Sequence, residues 1–269
     1  MRDRTLGRVV ANEPLGSMVR LSVRVPGWRA AVAGQFALLQ AEPSRCFLGR
    51  AVSVSDQRGE RVCFLIAPVG DGTRELCSLA QGSSLWVLGP LGRGFGISAL
   101  ARNSGRTVIV AGGVGVAPFP LLVRQMAEGY GALAAQVLVL LGFRDSVQSL
   151  AADPVREAVA ASEGLGLRCR LEVAVEDGSR GPAEKVTDLL ERHLMPGDRL
   201  AVCGPDVMAA AVWRVCSRTD GVQAWFSLEA KMACGVGSCH GCAIELADGS
   251  AARVCHEGPV FCGREVFGD

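Results

Sequence analysis

The sequence predicts a β barrel plus an α/β unit: an N-terminal antiparallel barrel, a parallel-sheet domain and a small C-terminal cysteine segment. Three observations predict it. Short apolar or alternating runs broken by Gly, Pro and Asp fill the first hundred residues, continuous apolar runs alternate with helical stretches after residue 106, and Cys and Gly crowd the stretch from Leu228 to Asp269.

In the first part the runs are Val19 to Val25, Phe36 to Gln40, Ala51 to Ser55, Arg61 to Ala67 and Ser84 to Leu88, with a short helix from Thr73 to Leu79. Pro26-Gly27, Gly70-Asp71-Gly72 and Gly89-Pro90 mark turns between them. In the second part, buried strands are predicted at Thr107 to Ala111, Gln136 to Leu141, Arg170 to Val175 and Arg199 to Cys203, with Val222 to Ser227 able to add a last one. Helices are predicted from Pro118 to Glu128, through Ala161, from Ala183 to Arg192 and from Asp206 to Cys216. Pro118 suits a first helical turn, where its missing N–H costs little. The tail has too few periodic apolar residues for a core of its own, so a metal centre is expected to hold its shape. The domain division is 1–101, 102–223 and 224–269.

A chain of 269 residues, 49% hydrophobic and 20% charged, is long enough to bury cores without disulfide staples and too apolar to be disordered. A formal net charge of +1 offers no electrostatic case for nucleic acid or an anionic membrane. No apolar signal region follows Met1-Arg2-Asp3-Arg4, and the most apolar runs are too short to span a bilayer. A cytoplasmic protein is expected. Structural disulfides are rare there, so 11 cysteines point to metal or redox chemistry for some of them.

Cys234, Cys239, Cys242 and Cys255 form C-x4-C-x2-C-x12-C. The first three have the plant-type spacing for a [2Fe–2S] cluster, which a more distant cysteine completes. Gly235, Gly237 and Gly241 would let the loop curl and aim N–H groups at sulfur. Structural zinc usually pairs two short knuckles, and only Cys239 and Cys242 make one here, so zinc ranks second. His240 and His256 read as exposed loop histidines and Cys262 as a spare thiol.

Gly112-Gly113-Val114-Gly115 follows a strand and opens a helix, the placement a dinucleotide pyrophosphate needs. The motif runs G-x-G-x-x-P to Pro118, and a tight βα turn can use glycine for geometry alone. Cys203-Gly204-Pro205 ends a strand, which leaves Cys203 either beside a ligand or simply small and buried. Nicotinamide moves a hydride and an iron–sulfur cluster one electron; a flavin converts between the two. The barrel is its natural home. Arg50-Ala51-Val52-Ser53 and Gly70-Asp71-Gly72-Thr73 supply a cation, hydroxyls and a glycine turn there.

Taken together, these segments resemble the ferredoxin–NADP reductase superfamily. Gly34-Gln35-Phe36, Leu88 to Gly92, Gly94-Phe95, Leu141 to Arg144, Ser227-Leu228-Glu229, Met232 to Gly235, Arg253-Val254-Cys255 and Gly258 to Phe261 extend the likeness over almost the whole chain. The order barrel, nucleotide domain, cluster segment is similar to the electron transfer subunits of class B dihydroorotate dehydrogenases. The resemblance implies FAD, with Arg50 on its phosphates, Ser53 near the ring, Leu65, Ile66 and Ala67 as a second contact, and Gly72 and Thr73 on the pyrophosphate. Ala51 replaces the family's usual Pro, and Ala67 a residue that is often Arg. It implies NAD at Gly112, Gly113, Gly115 and Cys203. It also implies a separate FMN-containing dihydroorotate dehydrogenase catalytic subunit in a heterotetramer, so no catalytic acid–base pair is assigned to this chain. The same module resembles subunits of ferredoxin reductase, sulfide dehydrogenase and hydrogenase complexes, which would share the NAD(P)H half and differ in partner. A zinc-stabilised binding module without enzyme activity is the rival from another class.

Overall fold

A computed structural model describes residues 4–101, 106–131 and 136–269. Strands β1 (Thr5–Leu15), β2 (Met18–Arg24), β3 (Phe36–Glu42), β4 (Arg50–Arg58) and β5 (Arg61–Ile66) precede helix α1 (Asp71–Cys77) and β6 (Ser84–Leu91). They close into an antiparallel barrel in the order β1-β2-β5-β4-β3-β6. The alternating side chains Leu21, Val23, Leu39, Val62, Phe64, Leu85 and Val87 are buried inside it. Strand β1 escaped the sequence pattern because few of its side chains are buried. It exists because it pairs with both β2 and β6 and so closes the barrel.

After α2 (Ile97–Leu100) come β7 (Thr107–Gly112), α3 (Phe119–Tyr130), β8 (Gln136–Phe143), α4 (Asp153–Glu163), β9 (Arg168–Val175), α5 (Val186–His193), β10 (Arg199–Cys203), α6 (Asp206–Cys216) and β11 (Gln223–Ser227). The strands are parallel in the order β11-β10-β7-β8-β9. Helices cover both faces, which is why Val108, Ile109 and Val110 are all fully buried despite alternating sides. The helix predicted from Ala183 starts later, because Ala183 instead bridges to Val175 at the edge of β9. No helix among the described residues is long and apolar enough to cross a membrane.

The tail forms a hairpin of β12 (Ala243–Glu245) and β13 (Ala251–Arg253), then β14 (Val260–Cys262) and α7 (Gly263–Phe267). Packing beyond any metal supports it. Strand β14 adds antiparallel to β11, and Phe267 stacks on Trp213 at 6.0 Å. Val254 and Phe261 share an apolar cluster with Phe36, Leu38 and Leu91 of the barrel.

Barrel and parallel sheet are locked together. Arg124 of α3 pairs with Asp56 of β4 at 2.8 Å, and Gln125 accepts the Ala33 N–H while donating to the Ala31 carbonyl. At the far end of the sheet, Arg106 donates to the buried Asp198 carboxylate at 2.7 Å, which also accepts the Met195 N–H. Replacing Asp198 by Ala leaves the half-buried Arg106 guanidinium with the His193 carbonyl but without its counter-ion. It should cost about 3 kcal/mol, read as a lower denaturation midpoint at unchanged slope.

Candidate functional site

A cavity of about 270 Å³ opens where the three parts meet. The barrel contributes Phe36, Ala51 to Ser53 from β4, and Leu65 to Ala67 at the end of β5, with Val69 and Thr73 beyond. Val114 and Ala117 come from the glycine turn, Cys203 from the end of β10. Ser227 to Ala230 and Met232, on the way to Cys234, close it with Pro259. The wall is mainly apolar with a few polar groups, the composition of a cofactor pocket. Val69 and Ala230 lie in no segment the sequence singles out, and Phe36, Val114, Ala117, Ser227, Leu228, Met232 and Pro259 lie in quoted segments without being assigned to a site. Only their position next to assigned segments could have pointed to them.

Arg50 and Gly72 do not line this cavity but meet beside it. A Cβ on Gly72 would lie 2.2 Å from Arg50 Nε, so only glycine lets the guanidinium lie across the start of α1. Arg50 Nη1 donates to the Leu48 and Gly49 carbonyls. The Thr73 hydroxyl exchanges hydrogen bonds with the Gly70 backbone at 2.9 Å, which orders the turn. A fixed guanidinium beside a helix start suits a phosphate.

Gly112, Gly113 and Gly115 lie behind the cavity, in the turn between β7 and α3. Residues Gly113–Val116 form one 3-10 turn, and Pro118 caps α3. A Cβ on Gly115 would lie 2.3 Å from the Cys203 carbonyl oxygen, so this glycine brings the turn onto the end of β10. Cys203 is therefore both buried and a cavity wall. Burial pushes its thiol up to about 12, with Glu229 adding and the Ser227 hydroxyl opposing. Glu229 sits in the Ser227-Leu228-Glu229 segment and lines the cavity. One side of it is open to solvent, yet burial of its carboxyl and then Asp206 raise it above an ordinary glutamate.

The four cysteines gather in two pairs. The Cys239 N–H donates to Cys234 Sγ at 3.4 Å, and the Cys255 N–H to Cys242 Sγ at 3.4 Å. Among the described residues no three His, Cys, Asp or Glu converge as a single ion would require. Two-and-two thiols suit a two-iron cluster with two thiolates on each iron. Burial would raise Cys234, but the N–H groups of Val236, Cys239 and Ser238 outweigh it and bring the thiol down to about 6. Cys255 is pushed up to about 12 by burial and by Cys242, against the Gly237 N–H. Cys239 is exposed while Cys242 and Cys255 are buried. Gly235 and Gly237 take positive φ as the loop reading required, whereas at the third bend His240, not Gly241, has φ +59. His240 is exposed, and His256 is bonded to Glu257 at 2.8 Å.

Comparison with known proteins follows the same division. Residues 229–267 match the iron-sulfur cluster binding domain of dihydroorotate dehydrogenase B, and residues 109–214 the oxidoreductase NAD-binding domain. The dihydroorotate dehydrogenase B (NAD(+)) electron transfer subunit of Clostridium acetobutylicum is 35% identical over 87% of this chain and 85% of its own. The subunit of the same name from Caldanaerobacter subterraneus is 33% identical over 99% of this chain and 100% of its own. The chain belongs to this family. Two solved structures extend the likeness of this family member at the level of fold. An NADH-dependent reduced ferredoxin-NADP oxidoreductase matches with TM-score 0.77 at 24% identity, over 99% of this chain and 91% of its own. A ferredoxin NADP+ reductase from Neisseria gonorrhoeae with bound FAD and NADP matches with TM-score 0.67 at 15% identity, over 85% of this chain and 100% of its own.

In this family member Cys203 should be inert. With its thiol near 12, about one molecule in ten thousand is ionised there at pH 8. Mass-mapped alkylation with iodoacetamide should leave Cys203 unmodified in the native chain and label it only in denaturant.

Proposed function

We propose that this chain is the electron transfer subunit of a dihydroorotate dehydrogenase B, coupling oxidation of dihydroorotate on a separate catalytic subunit to reduction of NAD+. The observation that carries the reading is the single cavity walled by the barrel, the nucleotide turn and the lead into the cysteine loop. When bound, FAD supplies conversion between one-electron and hydride transfer, and a [2Fe–2S] cluster supplies one-electron transfer.

The residues divide the work. Arg50, Gly72 and Thr73 hold the FAD diphosphate. Ala51 to Ser53 and Leu65 to Ala67 seat the flavin ring, with Ser53 offering a hydroxyl; Ala51 and Ala67 add only methyl groups and backbone. Gly112, Gly113 and Gly115 let the backbone approach the NAD pyrophosphate. Cys203, neutral because buried, packs against the nicotinamide without competing as a nucleophile. Cys234, Cys239, Cys242 and Cys255 ligate the cluster. Cys239 lies outermost, so the partner docks on that face.

The partner carries FMN, and the two kinds of subunit form a cytoplasmic heterotetramer. Residues 1–101 are the FAD domain, 102–223 the NAD domain and 224–269 the cluster segment. Support for the pairing comes from a relative that matches end to end and bears the subunit's name.

Purified chain should be coloured, with flavin absorbance, iron, and a reducible iron–sulfur signal in electron paramagnetic resonance. Zinc without iron rejects the reading. Co-expressed with its catalytic partner it should reduce NAD+ at the expense of dihydroorotate. Co-purification with a ferredoxin or hydrogenase subunit instead would overturn the pyrimidine assignment. Cys239→Ser should abolish the cluster signal and transfer from the partner while NADH still bleaches the flavin. Gly72→Ala should displace Arg50 and lower the flavin-to-protein ratio several-fold; full flavin content would remove Arg50 and Gly72 from the FAD site.

A further inference from the structure

Arg253, two residues before Cys255, is bonded on every side. Its Nε and Nη2 take the two oxygens of Glu257 at 3.0 and 2.5 Å, and its own N–H donates to Glu257 Oε2 at 2.8 Å. Its remaining fork atom, Nη1, reaches back across the segment and donates to the Gly237 carbonyl at 2.8 Å. His256 closes the set, with Nδ1 facing both Glu257 and Arg253 Nη2.

Gly237 is the point where the cysteine loop turns, with φ +84, and a Cβ there would lie 3.1 Å from the His256 ring. The two peptide groups it joins serve different thiols. The peptide before it gives the Gly237 N–H to Cys255 Sγ at 3.2 Å. The peptide after it carries the Ser238 N–H, one of the donors acting on Cys234. The carbonyl that Arg253 holds belongs to this second peptide. One glycine thus spans the two cysteine pairs, and a guanidinium locked by a carboxylate pins it.

We propose that Arg253 is a positioning residue that raises the reduction potential of the iron–sulfur cluster by fixing and polarising the Gly237–Ser238 peptide. The proposal rests on the reading that the four cysteines hold that cluster. A cation on a peptide oxygen draws electron density from the nitrogen, so the N–H becomes a better donor. Donors aimed at thiolate sulfur favour the reduced cluster, which carries one more negative charge. Glu257 sets the direction of the fork but also offsets its charge. The two members of this ion pair therefore act on the cluster with opposite sign, which a passive brace would not do.

The test is a redox titration of the full chain with its cofactors, followed by electron paramagnetic resonance. Arg253→Met should lower the reduced-to-oxidised ratio about tenfold at a given potential, about 59 mV for a one-electron couple. Arg253→Lys, which keeps a cationic donor for the Gly237 carbonyl, should recover most of that. Glu257→Gln should shift the potential upward. An Arg253→Met cluster at the wild-type potential overturns the proposal, as does a shift of the same sign in Arg253→Met and Glu257→Gln. If Arg253→Met fails to assemble a cluster, an unchanged or lowered potential in Glu257→Gln overturns it. A wild-type chain with no iron–sulfur signal sinks the cluster reading itself, whereas a signal indifferent to these substitutions sinks only the role of Arg253.

Discussion

Burial of Phe36, Leu38 and Leu91 beneath the cysteine segment is the contact on which the rest of the molecule depends. The segment has three short strands and one short helix, too little to fold alone. Val254 and Phe261 find cover on the outside of β3 and β6, while Phe267 packs on Trp213 and Phe226 of the parallel-sheet domain. A Cβ on Gly235 would already lie 2.8 Å from Leu38 Cδ1, so the cysteine loop rests directly on the barrel wall. The turn at Gly258 and Pro259 holds the other edge: Arg93 of the barrel donates to the Gly258 carbonyl, and Leu228, just after β11, to that of Pro259. These few contacts draw the barrel, the sheet and the cysteine loop around one cavity, and electron transfer needs that short separation.

Around the cavity, charge is handled by exclusion and by backbone. The wall is apolar, its thiol is neutral, and burial raises the Glu229 carboxyl above an ordinary glutamate. At Cys234 the opposite holds: backbone N–H groups converge on its sulfur and favour thiolate, while burial keeps Cys255 high. Cofactor chemistry demands both environments within a few residues of each other. The chain separates them by letting Met232 face the cavity and Cys234 face the loop.

Much of this was legible in one dimension. The continuous apolar runs at Thr107, Gln136 and Arg199 are strands because a sheet covered on both faces wants apolar residues at every position. The cysteine spacing pointed to two-iron chemistry, and the glycine turn to a close backbone approach, which Gly115 makes on Cys203. Other features were hidden for physical reasons. Strand β1 has little buried alternation and is held by pairing, which periodicity does not report. His240, not the neighbouring Gly241, takes a left-handed conformation, because local loop closure can impose it on a single exposed residue.

By itself the sequence determined the order of barrel, parallel sheet and cysteine segment, most of their strands and helices, and which four cysteines stand close along the chain. All follow from near-neighbour spacing, whose energetics are local. Only the tertiary structure decided that Val114, Met232 and Pro259 would face Ser53 and Leu65 across one cavity, and that Arg253 would reach Gly237. Those pairings join distant stretches of chain. Which faces meet is set by the summed burial of whole elements, Phe36 and Leu38 under Phe261 above all, and no single stretch of sequence carries that sum.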